Sequence, residues 1–332
     1  MISHMSRRRF IGITAAAAGM ALLPLGRKAL ATPSAVSWRG EAMGAQATLL
    51  INHPDRALAL RLVDQVAAEV RRLERIFSLY REDSDLSRLN RQGFLVSPAT
   101  DLVEILRRCN DVWRLTGRAF DPTVQPLWLA YQRHFSDPGA TAAGPSRRVM
   151  QEALDRVGFD RLAYSEDRIE LPMAGSALTL NGIAQGYATD KVVDLLRAGG
   201  VEHALVNMGE GRAIGSAPED RPWRIGITDP FNSDSILKVL PLTDSAVATS
   251  SPAGFQFDED GRFTHIIDPR TGSTPQRYAS LSVVAPTATI ADALSTAFSL
   301  MDVETIAGAV RRLDGVDAYV LSQDTLWTHV KS

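Results

Sequence analysis

Two stretches near the C-terminus carry side chains that can do chemistry together. In FTHIIDPRTG (263–272), His265 precedes a Pro-Arg-Thr-Gly turn that pins its backbone. An imidazole presented from such an edge can take a proton from a hydroxyl. The other reading is a strand-end His with a satisfied hydrogen bond, and Asp268 before Pro269 fits a turn-forming acid equally well. In ADALSTAF (291–298), Asp292 and Thr296 are four residues apart and share one helix face. A carboxylate and a hydroxyl placed there offer hard oxygen ligands to Mg2+, which keeps waters and substrate phosphates in the rest of its shell. Alternatively, Asp292 caps the first turn and Thr296 packs inward.

Three further stretches carry possible contacts. LTLNGIAQGYATDK (178–191) sets Asn181-Gly182 and Gly186 between an apolar run and a helix, the layout of a phosphate-binding turn. It has neither the GxGxxG nor the GxxxxGK[ST] spacing, so a phosphate cradle and an ordinary tight turn both stay open. Tyr80, in SLYREDSDLSRLN (78–90), can stack on a ring or close a core edge. Asp121, in GRAFDPTVQPLW (117–128), makes a turn or approaches a ligand.

The elements that must position these residues follow from periodicity. AQATLLINH (45–53) alternates as a strand, and Leu62, Val66, Val70, Leu73 and Phe77 give the following segment a helical apolar face. Residues 99–117 read as a second helix ending at Gly117, 145–157 as a short third, and 183–198 as a helix closed by Gly199-Gly200. RIELP and ALTLN read as strands. HALVNMG, RAIGSA and WRIGITDP suggest an antiparallel meander, which SAVATSS, FTHIIDP and YASLSVVAP extend. TIADALSTAFSLM and VETIAGAVRRL are helical, and AYVLSQDTLWTHV closes as a hairpin. Strands grouped together, with helices between the groups, predict an α+β fold with mixed or antiparallel sheets and packed helices.

The N-terminus is set aside from the fold. SRRRFIG, the apolar run from Ile11 to Leu25 and the small-residue site Ala29-Leu30-Ala31 read as an export signal over residues 1–31. Arg7-Arg8 followed by Phe10 resembles a twin-arginine signal, and Met1 and Met5 are both candidate starts. The apolar run, broken by Gly19 and Pro24, is shorter than the ~20 residues of a spanning helix. Cleavage removes Arg7, Arg8, Arg9, Arg27 and Lys28 and moves the formal charge from -2 to -7. A mildly acidic chain without a basic run argues against nucleic-acid binding. Cys109 is the only cysteine, so no internal disulfide forms, and its helical context reads as buried apolar. HFSDPGATAAGPSRR (134–148) reads as an exposed excursion within one large unit.

Read in order, MGAQATL, SLYREDSDLSRLN, GRAFDPTVQPL, NGIAQGYATDKVVDLLRAGGVEHALVNMGEGRAIG, VATSS, HIIDPRTG and VAPTATIADALSTAFSLM resemble one family, the periplasmic FAD:protein FMN transferases or ApbE family. The resemblance runs from about Met43 to the C-terminus and implies a transferase domain over residues 40–332 with the ApbE-like, T-fold-like architecture. It implies FAD as substrate, Mg2+ as cofactor, and transfer of FMN to a threonine of a target protein with release of AMP. By that resemblance Asp292 and Thr296 are the side-chain Mg2+ ligands, and a backbone carbonyl near Gly182 is a third. His265 is the base that deprotonates the threonine. Met43, Tyr80, Ala119, Phe120, Asp121, Thr179, Gln185 and Phe263 contact FAD.

Two positions depart from the family pattern. Thr179 stands where the family commonly has Asp, and Gln185 where it has Lys or Glu. Thr179 makes any contact to the ribose or metal shell weaker or water-mediated. Gln185 can hydrogen-bond but cannot balance phosphate charge. The acceptor is expected to be an exported or membrane-bound electron-transfer protein, so the chain meets a membrane only through it. A twin-arginine-type signal without a lipid-attachment cysteine resembles the branch accessory to nitrous-oxide respiration. Alternatives are hydrolysis of FAD to FMN and AMP, with water replacing threonine, and a non-catalytic periplasmic flavin-binding protein.

Overall fold

The computed structural model describes residues 20–22 and 35–332. Most of the expected export signal lies outside these residues; a short strand at Met20–Leu22 pairs antiparallel with Trp223–Asp229.

Among the described residues the α-helices are α1 (Arg56–Phe77), α2 (Asp85–Gln92), α3 (Thr100–Leu115), α4 (Gln125–Ser136), α5 (Arg147–Leu154), α6 (Ala184–Ala198), α7 (Ala288–Phe298) and α8 (Val303–Val310). The central sheet has eight strands, every neighbouring pair antiparallel. Its order runs Trp327–Val330, Asp317–Leu321, Ser280–Ala285, Ala246–Ser250, Gly211–Ile214, Ala204–Asn207, Ala45–Asn52, Ala35–Ala42. The fold is α+β, as the grouping of strands and helices predicts.

The long α1 forms as its spacing requires. Asp55 caps it by accepting from the Leu58 N–H, and Leu62, Val66, Val70 and Leu73 bury one stripe against α6 and the sheet. Each such side chain contributes about 1.5–3 kcal/mol on burial. Helix α7 is buried almost all round, and its alanines let it lie close between sheet and α6. The closest approach is at Gly186, where a Cβ would stand 2.2 Å from the Ala288 carbonyl oxygen. Only glycine fits there.

Three expected strands depart from the prediction for long-range reasons. ALTLN is an extended loop, not a strand. The Asn90 side chain takes both backbone groups of Leu178, donating to its carbonyl at 2.8 Å and accepting its N–H at 2.7 Å. FTHIIDP does not extend the sheet; only a single bridge, Gln256 to Thr264, remains there. WRIGITDP leaves the meander, because Glu219 and Asp220 at positive φ redirect the chain before it. It pairs with Asn232–Leu242, and this ribbon buries Trp223, Ile225 and Ile227 against Leu205, Ala213 and Val247 of the main sheet. Among the described residues no helix is long and apolar enough to cross a membrane.

Candidate active site

A cavity of about 330 Å³ opens between α6, α7, the 119–122 turn and the 265–269 loop. That volume lies in the range of small-molecule sites. Met43, Tyr80, Ala119, Phe120, Asp121, Thr179, Gly182, Gln185, His265, Asp292 and Thr296 all line it. Residues separated by some 250 positions therefore meet on one surface.

Each arrives there for a local reason. Met43 and Gly44 both take positive φ, the two-residue turn that joins two antiparallel strands. A non-glycine residue held in that region at a ligand wall is the kind of strain that clusters at functional sites. The Met43 N–H is fixed by Glu74 Oε1 at 3.0 Å. Tyr80 is about half exposed at the mouth, its phenol paired with the Asn181 side chain.

Asp121 lines the cavity and also holds the turn. Its Oδ1 accepts from the Thr123 N–H at 2.8 Å and from the Thr123 hydroxyl. Its Oδ2 accepts from Trp113 Nε1 and the Phe159 N–H, both at 3.2 Å. Burial raises its carboxyl above the usual range. The carboxylate is fully engaged in holding the turn, which leaves the backbone and its neighbours Ala119 and Phe120 to form the wall.

Asp292 is not a helix cap. Thr287 caps α7, and the Asp190 carboxylate accepts from the Ala288 and Thr289 N–H groups at 2.8 and 2.9 Å. Asp190 is itself paired with buried Arg212. Asp292 instead sits one turn inside, 4 % exposed, with Oδ2 accepting from the Gly186 N–H at 2.9 Å. Burial, with the Asp190 charge adding to it, pushes its carboxyl up to about 7. Thr296 lies one turn further along and faces Gly182, where a Cβ would stand 2.9 Å from the Thr296 hydroxyl oxygen. A glycine at 182 thus lets the backbone come close to that hydroxyl.

His265 is partly buried. Its Nδ1 lies 3.1 Å from the Phe255 carbonyl oxygen. A carbonyl only accepts, so Nδ1 carries the proton and Nε2 is the basic nitrogen. Burial holds the imidazole below the ordinary histidine range. The turn behind it is fixed by Asp268, whose carbonyl accepts from Gly272 at 2.8 Å and whose carboxylate grips the Arg270 guanidinium.

Phe263 is placed apart from the other residues expected to contact FAD. It does not line the cavity; its ring packs with Tyr131 and Phe135, centroids 5.5 and 5.1 Å away, in a satellite aromatic core. Thr179 is anchored by its N–H to the Pro122 carbonyl at 2.8 Å. The Gln185 side chain packs beside Gly209, where a Cβ would stand 2.7 Å from it.

Sequence reasoning missed Glu210. It is 3 % exposed, lines the same cavity, and its Oε2 has no hydrogen-bond partner. The only signal in the sequence is an acid bracketed by glycines, GEG, between two apolar strands.

Among the described residues no group of three or more His, Cys, Asp or Glu side chains is placed to hold a metal. A hard-oxygen set of one carboxylate, one hydroxyl and one carbonyl has a different composition, and it suits Mg2+. The orphaned carboxylate oxygen beside Asp292 fits a cation at this wall.

Residues 43–320 match the ApbE family. The chain is 31% identical over 287 residues to the FAD:protein FMN transferase of Treponema pallidum, covering 79% of this chain and 77% of that protein. It is 25% identical over 295 residues to the FAD:protein FMN transferase of Escherichia coli K12, covering 86% and 83%. Among solved structures, the apo flavinyl transferase ApbE of Pseudomonas stutzeri matches with a TM-score of 0.75 at 27% identity, over 90% of this chain and 95% of that one. The ApbE protein of Thermotoga maritima matches with a TM-score of 0.77 at 26% identity, over 89% and 96%.

Proposed function

This chain belongs to the ApbE family, and from that premise we propose that it is an FAD:protein FMN transferase. The observation that carries the reading is the convergence of His265, Asp292, Thr296 and Gly182 on one cavity with the turn residues Met43 and Asp121. The reaction moves FMN from FAD to a threonine hydroxyl of an acceptor protein. The threonine oxygen forms a bond to the FMN-side phosphorus, the bridging P–O bond breaks, and AMP leaves with the bond electrons. The hydroxyl proton passes to His265 Nε2, the nitrogen left basic by the Phe255 carbonyl.

Asp292, Thr296 and the Gly182 carbonyl would hold Mg2+, which when bound neutralises charge on the pyrophosphate. Gly186 donates to Asp292 and so aims the carboxylate. Tyr80, half exposed at the mouth, offers an aromatic face to a flavin ring. The acceptor would be an exported or membrane-bound electron-transfer protein met in the periplasm, a reading that the twin-arginine-type N-terminus supports.

The test is to incubate the protein with FAD, Mg2+ and a candidate acceptor domain and weigh the acceptor. An FMN-sized adduct on threonine that vanishes with EDTA is the expected result. Bound FAD without any product would leave a flavin-binding protein instead.

A further inference from the structure

Glu210 takes no part in the chemistry above, yet its position is costly. The turn Met208-Gly209-Glu210 joins the strands Ala204–Asn207 and Gly211–Ile214, whose ends pair at Asn207 and Gly211. Gly209 has φ +112, and its N–H is held by Asn207 Oδ1 at 2.9 Å. Glu210 itself is tied at the backbone, where its carbonyl accepts from the Thr189 hydroxyl at 3.0 Å. A Cβ on Gly211 would stand 2.6 Å from the Ile225 side chain, so the strand that follows Glu210 packs closely on its neighbour. The Glu210 side chain lines the cavity wall.

A carboxylate in that place needs a partner. One oxygen has none, the Thr249 N–H leans on the group, and the charged neighbour is another acid, Asp292. The nearby hydroxyls are spent elsewhere: Thr249 on Ser282 and Ser250 on Ser295, both at 2.8 Å. The buried cation nearby, Arg212, is turned to Asp190. Two buried acids side by side are destabilising unless a cation or a proton lies between them. The cavity opens where a cation would go.

We infer that Glu210 is a second carboxylate for the divalent cation held at Asp292, so that this chain binds its metal through two buried acids, a hydroxyl and a carbonyl. The inference rests on the metal-dependent reading above. Two fixed charges in one buried wall raise affinity for a small divalent cation, and that affinity exists before any acceptor arrives.

The test counts metal without turnover. Mn2+ is titrated into the protein, with and without FAD, and free Mn2+ is read by its EPR signal. Glu210→Gln should weaken Mn2+ binding by roughly tenfold or more, and Asp292→Asn should weaken it further. Without metal, Glu210→Gln should melt a few degrees higher than wild type, because a neutral amide replaces a buried carboxyl crowded against Asp292. Added Mn2+ should then stabilise the variant less than wild type. Wild-type Mn2+ affinity in a folded Glu210→Gln protein overturns the inference alone. A wild-type protein that takes up no Mn2+ in either condition overturns both the inference and the metal-dependent reading.

Discussion

The wall formed by α6, α7 and the 208–210 turn and the wall that carries His265 differ in what holds them. On the first, helix packs on helix at close range: the Gly186 position touches the Ala288 backbone, Gly182 approaches the Thr296 side chain, and Asp190 with buried Arg212 fixes the start of α7. No side-chain rotation relaxes the Gly186–Ala288 contact. On the second, a loop is held by side chains: Asp268 grips Arg270, and Trp128, Tyr131 and Phe257 stack near one another. Charges that repel one another sit on the stiff wall, where nothing can move to relieve them. The proposed proton acceptor, His265, sits on the wall that side chains tune.

Asp292→Ala should lower FMN transfer by about 10³-fold, measured as adduct formed per minute. A wild-type rate would remove Asp292 from the mechanism. On the tuned wall, His265→Ala should cost about 10²-fold in transfer and leave FAD binding, followed by flavin fluorescence, unchanged. The same histidine sets a pH dependence. Only neutral imidazole accepts the proton, and burial holds its pKa below the ordinary ~6.5. With Mg2+ saturating, so that Asp292 stays ionised, activity should be retained through pH 6.5 and fall only below it; an acid limb at or above that value under saturating Mg2+ would contradict the burial.

Smaller effects sharpen the contrast in stiffness. Gly186→Ala puts a Cβ against the Ala288 carbonyl and should cost about 1–3 kcal/mol, read as a lower melting temperature with a parallel loss of transfer. Phe263→Leu touches only the aromatic satellite. It should lower stability by about 1 kcal/mol while FAD affinity stays within about twofold of wild type. A large loss of FAD affinity in that variant would return Phe263 to the cavity.

Much of the helical frame was legible because it is local. The stripe of α1 and the positions of Asp292 and Thr296 on one face of α7 follow from spacing alone. His265 and Asp292 were legible as chemistry, yet their meeting needed the resemblance, since 26 residues and a strand separate them. What stayed hidden depends on distant partners. ALTLN alternates like a strand, but Asn90, 88 positions earlier, satisfies Leu178 instead. FTHIIDP is apolar enough for a sheet, but the Phe255 carbonyl and the Asp268 turn claim its hydrogen bonds. Phe263 carries an aromatic ring next to His265 in sequence, yet Tyr131 and Phe135 draw it the other way. Glu210 drew no reading because nothing local distinguishes a solvated glutamate from one pressed into a cavity.

The central claim is that the cavity couples pyrophosphate cleavage to a protein hydroxyl. Its most direct test is the ratio of AMP released to FMN attached, measured in one reaction with FAD, Mg2+ and acceptor. Transfer predicts one AMP per adduct, with little AMP when the acceptor threonine is replaced by alanine. AMP and free FMN released at the same rate, with no adduct and no dependence on that threonine, would contradict it.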